Sequence, residues 1–541
     1  MRTTKLAHIG RFAALATALA SISLAQNLPD ELSQLKAQVA QQQRQIDELT
    51  RRLDRLSQPL PETNAARPTL ADRPLVASTT PMIPAVAAPA TALPTTPLSA
   101  QDRPAESSPL QLKVGDAYIT PVGFMDFTSV YRSHAAGAGI GTNFGSIPYG
   151  TVFQNKLSEE RLSMQNSRVG FRVDAMVKGA HVIGYLETDF LGNNPANVAV
   201  TSNANTFRSR LYWVDISKNS WEVMAGQSWS LMTPNRTGIS PLPGNIFFSQ
   251  NIDVNYQAGL TWGRIPELRF VYRPSDKVAL AVAFDNQEQY VGGSGGGGTP
   301  NFPSNLAATY PGGQLNNGNT TLNAPQAFPD TILKLAFDPS KKAHFEIGGV
   351  LREFRVWNPN NNNHYTTAGG GGFLNFNFEL LPGFRVLTNN YWSDGGGRYI
   401  FGLAPDLVAR ADGSLSLVHS GSTVTGFEFT HKNTLLYGYY GGVYIGKNVI
   451  IDTTAAKPAL VGYGFTGSGN GQNRAIQEIT FGFNQTLWKD AKYGALNFMG
   501  QYSYLARNPW FIATGQPEDA HLNMLFFNLR YTLPGSAPAI K

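Results

Sequence analysis

The chain of 541 residues has no cysteine, which excludes disulfides, thiolate metal sites and cysteine nucleophiles and is compatible with an oxidising envelope. Charge is also scarce: Asp, Glu, Lys and Arg make up 15% of the residues and the formal net charge is +6. Arg2, Lys5 and Arg11 supply three of those six charges, so the remainder is only mildly basic and nucleic acid is not an indicated partner. After residue 25 no uninterrupted apolar run is long enough to cross a bilayer as a helix. An exported chain of this kind that resides in a membrane must cross it as a closed barrel, because lipid offers no partner to a free backbone N–H or C=O. The eight histidines, among them His344, His364, His419, His431 and His521, form no His-x-x-x-His spacing and no local pairing with a nucleophile. No metal, cofactor or catalytic residue is therefore indicated.

What the chain does contain is 54 glycines, 34 prolines and 11% aromatics, a balance that favours turns and strands over packed helices. The first 25 residues have a positive start, an apolar run over 12–24 and the small-x-small triplet Ser23-Leu24-Ala25, which together predict a cleaved export signal. A heptad seam follows over 26–57: Leu32, Val39, Ile46 and Leu53 take the a positions and Leu35, Gln42, Leu49 and Leu56 the d positions. This stripe predicts a coiled-coil helix that associates with copies of itself, with Gln42 as the polar seam residue. Two or three strands remain open, and an amphipathic helix lying on a larger body would need a wider apolar face. Residues 58–111 are rich in proline, alanine, threonine and serine, the composition of an extended tether.

From residue 112 to 541 the pattern is a strand-like run, a long polar stretch, another run and a very short turn, repeated. Strands are predicted near 118–131, 161–175, 180–190, 206–217, 221–229, 265–273, 277–286, 330–338, 343–356, 372–381, 383–393, 422–431, 433–445, 475–487, 493–505 and 520–533, about sixteen in all. Every second connection is tiny, as at Lys218-Asn219-Ser220, Pro382-Gly383 and Lys432, whereas 287–329, 394–421 and 446–474 are long. Loops sorted by end are the wiring of an outer-membrane barrel rather than of a sandwich or propeller. The fold class expected is thus all-β, a transmembrane antiparallel barrel preceded by a coiled-coil helix.

Alternation decides which face is wet. In the last strand Leu525, Phe527 and Leu529 oppose Asn528 and Arg530; near 480, Ile479, Phe481, Phe483 and Leu487 oppose Glu478, Thr480 and Asn484. The apolar side is assigned to lipid and the polar side to the lumen. Tyr131, Trp213, Trp221, Trp229, Trp392, Trp488 and Tyr504 lie near strand ends, where interfacial aromatic girdles belong. Sixteen strands enclose more space than their own side chains fill, so an aqueous channel for small hydrophilic solutes is the expected function. On the polar side stand Arg168, Arg172, Arg208, Arg210, Arg269, Arg273 and Arg530. Guanidinium groups along a pore wall favour anions, while the same arginines could instead brace the wall by pairing with Asp174, Glu187, Asp189 or Glu478.

Four stretches carry a family resemblance: Ser167-Arg168-Val169-Gly170-Phe171, Glu187-Thr188-Asp189-Phe190-Leu191-Gly192, residues 208–212, and Ala225-Gly226-Gln227-Ser228-Trp229-Ser230. Through them the chain resembles the DcaP-like trimeric outer-membrane porins, clearly so over about residues 160–235. The resemblance implies a homotrimer in the bacterial outer membrane, with the coiled coil in the periplasm, that admits small anions such as dicarboxylates. It also implies that the connection 230–264 folds inward and narrows the channel, which makes Arg236 and Asp253 candidates for the constriction; an outward surface loop is the other possibility. The chain departs from many such barrels at its end, continuing past Leu533 for eight residues instead of closing on an aromatic. Two other functions compete: an outer-membrane hydrolase, disfavoured by the lack of a nucleophile motif, and an adhesin or envelope tether with the barrel as anchor, disfavoured by the number of strands.

Overall fold

The computed structural model describes residues 108–136, 139–192, 206–247, 250–292, 298–318 and 327–535. The export signal, the heptad seam from Leu32 to Leu56 and all but the last four residues of the tether lie outside them.

Eighteen segments hydrogen-bond into one sheet in which every pair is antiparallel. Two of them add no strand to the wall. Leu112–Val114 only lengthens a hairpin at the start of the strand Ala117–Arg132. Glu159–Ser163 and Arg168–Val177 both pair with that same strand, one with each half, and are a single strand interrupted at 164–167. Sixteen wall strands remain, numbered here in chain order. The first eight are β1 (Ala117–Arg132), β2 (Glu159–Ser163 with Arg168–Val177), β3 (Ala180–Asp189), β4 (Arg208–Lys218), β5 (Trp221–Trp229), β6 (Arg264–Ser275), β7 (Val278–Asp285) and β8 (Asp330–Ser340). The others are β9 (Ala343–Asn358), β10 (Asn363–Leu381), β11 (Phe384–Asp394), β12 (His419–His431), β13 (Thr434–Ile445), β14 (Asn473–Asp490), β15 (Gly494–Pro509) and β16 (Ala520–Thr532). Each pairs with its neighbour in sequence, and β16 pairs with β1 from Phe124↔Thr532 to Arg132↔Met524, which closes the barrel. No free edge is left.

The short turns all fall at one end. Between β2 and β3 the two-residue loop Lys178-Gly179 has φ of 50° and 78°, the positive values that let a tight hairpin follow the strand twist. At the other end the long connections carry two small hairpins of their own, Leu407–Ala409 with Leu415–Leu417 and Asn448–Asp452 with Ala459–Tyr463.

The outer face is apolar as the alternation implied: Leu525, Phe527, Leu529, Ile479, Phe481 and Leu487 are exposed, and their neighbours Asn528, Glu478 and Thr480 are buried. Trp221, Trp392, Trp488, Tyr131 and Tyr504 stand on that face. Trp213 and Trp229 do not; both are buried inside the barrel. A register shift opposite Glu187 and Thr188 causes the first inversion, since Leu211 pairs with Glu187 and Ser209 with Thr188. The extra residue turns Arg210 and Leu211 inward together, after which Trp213 and Asp215 continue on the inner side.

Closure creates a wide lumen, but long connections refill much of it. Inner-wall groups such as Asp126, Glu346, Arg352 and Glu478 are buried, and apolar side chains from the connections, among them Phe144, Leu231, Ile252, Leu306 and Leu403, pack within the barrel.

Candidate functional site

The connection between β5 and β6, residues 230–263, crosses the interior and is bonded to the opposite wall. Lys334 of β8 donates from Nζ to Thr233 O at 2.9 Å, and the N–H of Asn235 donates to Glu346 Oε1 of β9 at 3.1 Å. Farther along, Ile252 N–H reaches Gln501 Oε1 of β15 at 2.8 Å, Ala258 N–H reaches Glu478 Oε2 of β14 at 2.8 Å, and Thr261 N–H reaches Asn389 Oδ1 of β11 at 2.9 Å. A loop directed outward cannot touch these strands. Polar residues on the inner wall thus give the loop backbone the partners that water would otherwise supply.

Arg236 and Asp253 both belong to this loop. The Arg236 guanidinium forms a two-pronged pair with Glu428 of β12 at 2.6 and 2.8 Å and donates from Nε to Ile246 O, so it ties the loop to the wall. Asp253 is buried and accepts N–H bonds from Thr142 and Asn255. Burial pushes its carboxyl above the ordinary carboxylate range, against the pull of those donors and of Arg132.

The seven wall arginines expected from the alternation are all ion-paired, to different extents. Arg172 takes Asp174 with two bonds of 2.7 and 2.8 Å. Arg269 meets Glu267 at 2.6 Å, Arg273 meets Glu222 at 2.7 Å, and Arg530 meets Asp126 at 2.7 Å. Three of the four carboxylates expected as braces hold arginines; Glu478 instead holds the loop backbone.

On β2 to β6 the pairs merge into a cluster. Asp189 binds Arg208 at 2.7 and 3.0 Å and Arg210 at 3.0 Å; Glu187 binds Arg210 at 2.9 Å and lies 3.6 Å from Arg168. Tyr256 of the inward loop accepts from Arg210 Nη2 at 2.8 Å. The Arg208 side chain keeps 39% of its surface exposed, against 1% for Arg210. Arg210 is therefore a brace, and the Arg208 guanidinium, though paired with Asp189, stays partly exposed.

Sequence reasoning missed the fourth cation, Arg264, at the start of β6. Its guanidinium lies between two indoles, 5.3 Å from the Trp229 ring centre and 5.1 Å from that of Trp262. One terminal nitrogen is buried without an acceptor, and among the described residues no carboxylate lies within ion-pair distance. Four guanidinium groups, of Arg168, Arg208, Arg210 and Arg264, thus face two carboxylates. Arg264 is out of phase with the Arg269 and Arg273 alternation, and its partner Trp262 comes from the returning loop, so alternation along one strand cannot reveal it. Gly226, within one of the stretches that carry the resemblance, has φ of +134°, and a Cβ there would sit 2.4 Å from Tyr212 O. Only glycine lets β5 approach β4 so closely. The stretches that carry the family resemblance thus converge on one place: Arg168, Glu187, Asp189, Arg208, Arg210 and Trp229.

No family model matches the chain, and no curated protein does either. Among solved structures it is similar to the outer membrane channel DcaP of Acinetobacter baumannii, with a TM-score of 0.54 and 14% identity over 78% of this chain and 99% of that one. The fold is that of an outer-membrane porin. More distant likenesses include the anion-selective porin from Comamonas acidovorans, at a TM-score of 0.43 and 13% identity over 77% of this chain and 99% of that one. Salmonella typhi OmpF follows at 0.43 and 8% over 78% and 99%. Within this porin fold the inward loop touches the arginine cluster through Tyr256 and Trp262. Among the described residues no group of three or more metal-ligating side chains is placed to hold an ion.

Proposed function

We propose that the chain is a channel of the bacterial outer membrane that admits small hydrophilic anions of the dicarboxylate class and works as a homotrimer joined in part by the heptad seam of residues 26–57. The observation that carries the anion preference is the charge imbalance beside the inward loop. Glu187 and Asp189 are shared among Arg168, Arg208 and Arg210, so that Arg208, paired with Asp189, still offers a partly exposed guanidinium, and Arg264 has no carboxylate beside it among the described residues. A solute with two carboxylates can meet both at once, each guanidinium offering paired N–H donors. The indoles around Arg264 lower its hydration and strengthen its pull on an anion. Arg168, Arg172, Arg236, Arg269, Arg273 and Arg530 contribute mainly by shaping the wall, since each has a carboxylate beside it and is less exposed than Arg208. The porin fold and the apolar outer belt support the membrane placement.

The test is uptake by liposomes that contain the purified full-length protein. Succinate is expected to enter faster than a neutral solute of equal size. Equal rates would remove the anion preference and leave the channel; no uptake of either would remove the channel.

A further inference from the structure

On the outside of the barrel, at the end that carries the long connections, a cleft of about 970 Å³ crosses β10 to β14. Its floor is opened by missing side chains. A Cβ at Gly421 would lie 3.2 Å from Trp392, and one at Gly442 would lie 3.2 Å from the Tyr440 hydroxyl, so both would project into the cleft. Trp392, Tyr440 and Tyr444 form exposed aromatic walls.

Above the cleft stand two exposed cations. A register shift in β14 between Asn473 and Ala475 adds one residue, and Arg474 is exposed there. It lies 5.9 Å from the Trp510 ring centre, and Lys447 lies over the same ring at 4.6 Å. Trp510 is fixed by its bond to Ile445 O at 2.9 Å and meets Tyr444 of the cleft edge on, at 6.1 Å. Among the described residues no carboxylate pairs with Lys447 or Arg474. Asp394, the one acid of the cleft, is 3.3 Å from His419. The arrangement is a trough with aromatic walls, lined between them by hydroxyl and amide groups such as Thr423, Asn390 and Gln477, with a pair of positive charges at its rim, complementary to a molecule with acyl chains and their ester and amide linkages below and phosphate above.

We propose that this cleft binds a phosphate-bearing lipid of the surrounding leaflet, its acyl chains along Gly421, Gly442 and the aromatic walls and its phosphate on Lys447 and Arg474. The inference rests on the outer-membrane placement and is independent of anion preference in the channel. A second copy of the chain seated here would have to bring acidic groups to the rim.

Native mass spectrometry of the full-length protein in detergent, titrated with bisphosphorylated lipid A, tests it. One lipid is expected to stay on each chain, and the same lipid without its phosphates is expected to bind far more weakly. Two surface charges each contribute about fivefold, so the double variant Lys447→Gln, Arg474→Gln should lose roughly twenty-five-fold in affinity. Gly442→Leu, which fills the floor, should lose it with both cations in place. Unchanged affinity in both variants, or equal binding of the dephosphorylated lipid, overturns the proposal. So does a change in subunit number in the charge variant, which would make the cleft a contact between chains. The same variants are placed in bilayers: conductance retained together with lipid binding lost supports the site, and conductance lost in the wild type points instead to failure of the channel reading.

Discussion

The inner wall has two sides that use the same residue types for different ends. On β8 to β15, Glu346, Glu428, Glu478 and Asn389 face the inward loop and accept its backbone N–H groups or the Arg236 guanidinium. On β2 to β6, Glu187 and Asp189 face arginines, which outnumber them. The acidic groups of the far side are engaged in holding the loop in place, whereas the cluster on the near side has four guanidinium groups to two carboxylates. Polar alternation marks both sides as inner wall, and only the partners tell the loop's anchors from the proposed selector.

Removing an anchor should have the largest effect. Glu428→Ala removes the carboxylate that Arg236 and the Tyr439 hydroxyl share, at a cost of about 3 kcal/mol for a mostly buried pair. Thermal unfolding and limited proteolysis should show a weaker barrel with a cleavable loop, and single-channel conductance should rise. Glu478→Leu strands the Ala258 N–H and should cost about 1–3 kcal/mol, again with a larger conductance and no loss of anion preference. Altering the selector should do the reverse. Arg264→Ala should leave the melting temperature unchanged and lower the anion over cation permeability ratio roughly fivefold, the effect of about 1 kcal/mol of screened charge, with Arg264→Lys retaining part of it. A smaller effect is expected from pH. Because burial raises the Asp253 carboxyl, it should lose its negative charge at a higher pH than an ordinary carboxylate. Anion preference should therefore strengthen as pH falls through that range, and Asp253→Asn should flatten the profile. Smallest of all, deletion of residues 26–110 should leave the conductance of each pore unchanged while weakening the trimer seen by light scattering.

The strand count was legible because the short turns punctuate it, and the facing of most strands followed from alternation alone. The misplacements have local causes. The run Gly369-Gly370-Gly371-Gly372 reads as loop, yet it pairs along the middle of β10. Phe354 and Tyr391 lie over it, within 3.0 Å of where Cβ atoms at Gly369 and Gly371 would be, so aromatic neighbours replace the side chains that glycine lacks. Trp213 was placed on the wrong face because a bulge carries no mark in the alternation of one strand. Arg264 was missed because what distinguishes it, two indoles and no carboxylate, is assembled from β5 and the returning loop. Individual arginines were legible as inner-wall residues, but their pairing depends on register between strands, which a single sequence does not display.

Reversal potential across a bilayer under a salt gradient tests the central claim most directly, comparing the wild type with Arg264→Ala. The wild-type potential should carry the sign of anion preference and shrink toward zero in the variant. A wild-type potential of the opposite sign, or a variant indistinguishable from it, would contradict the account.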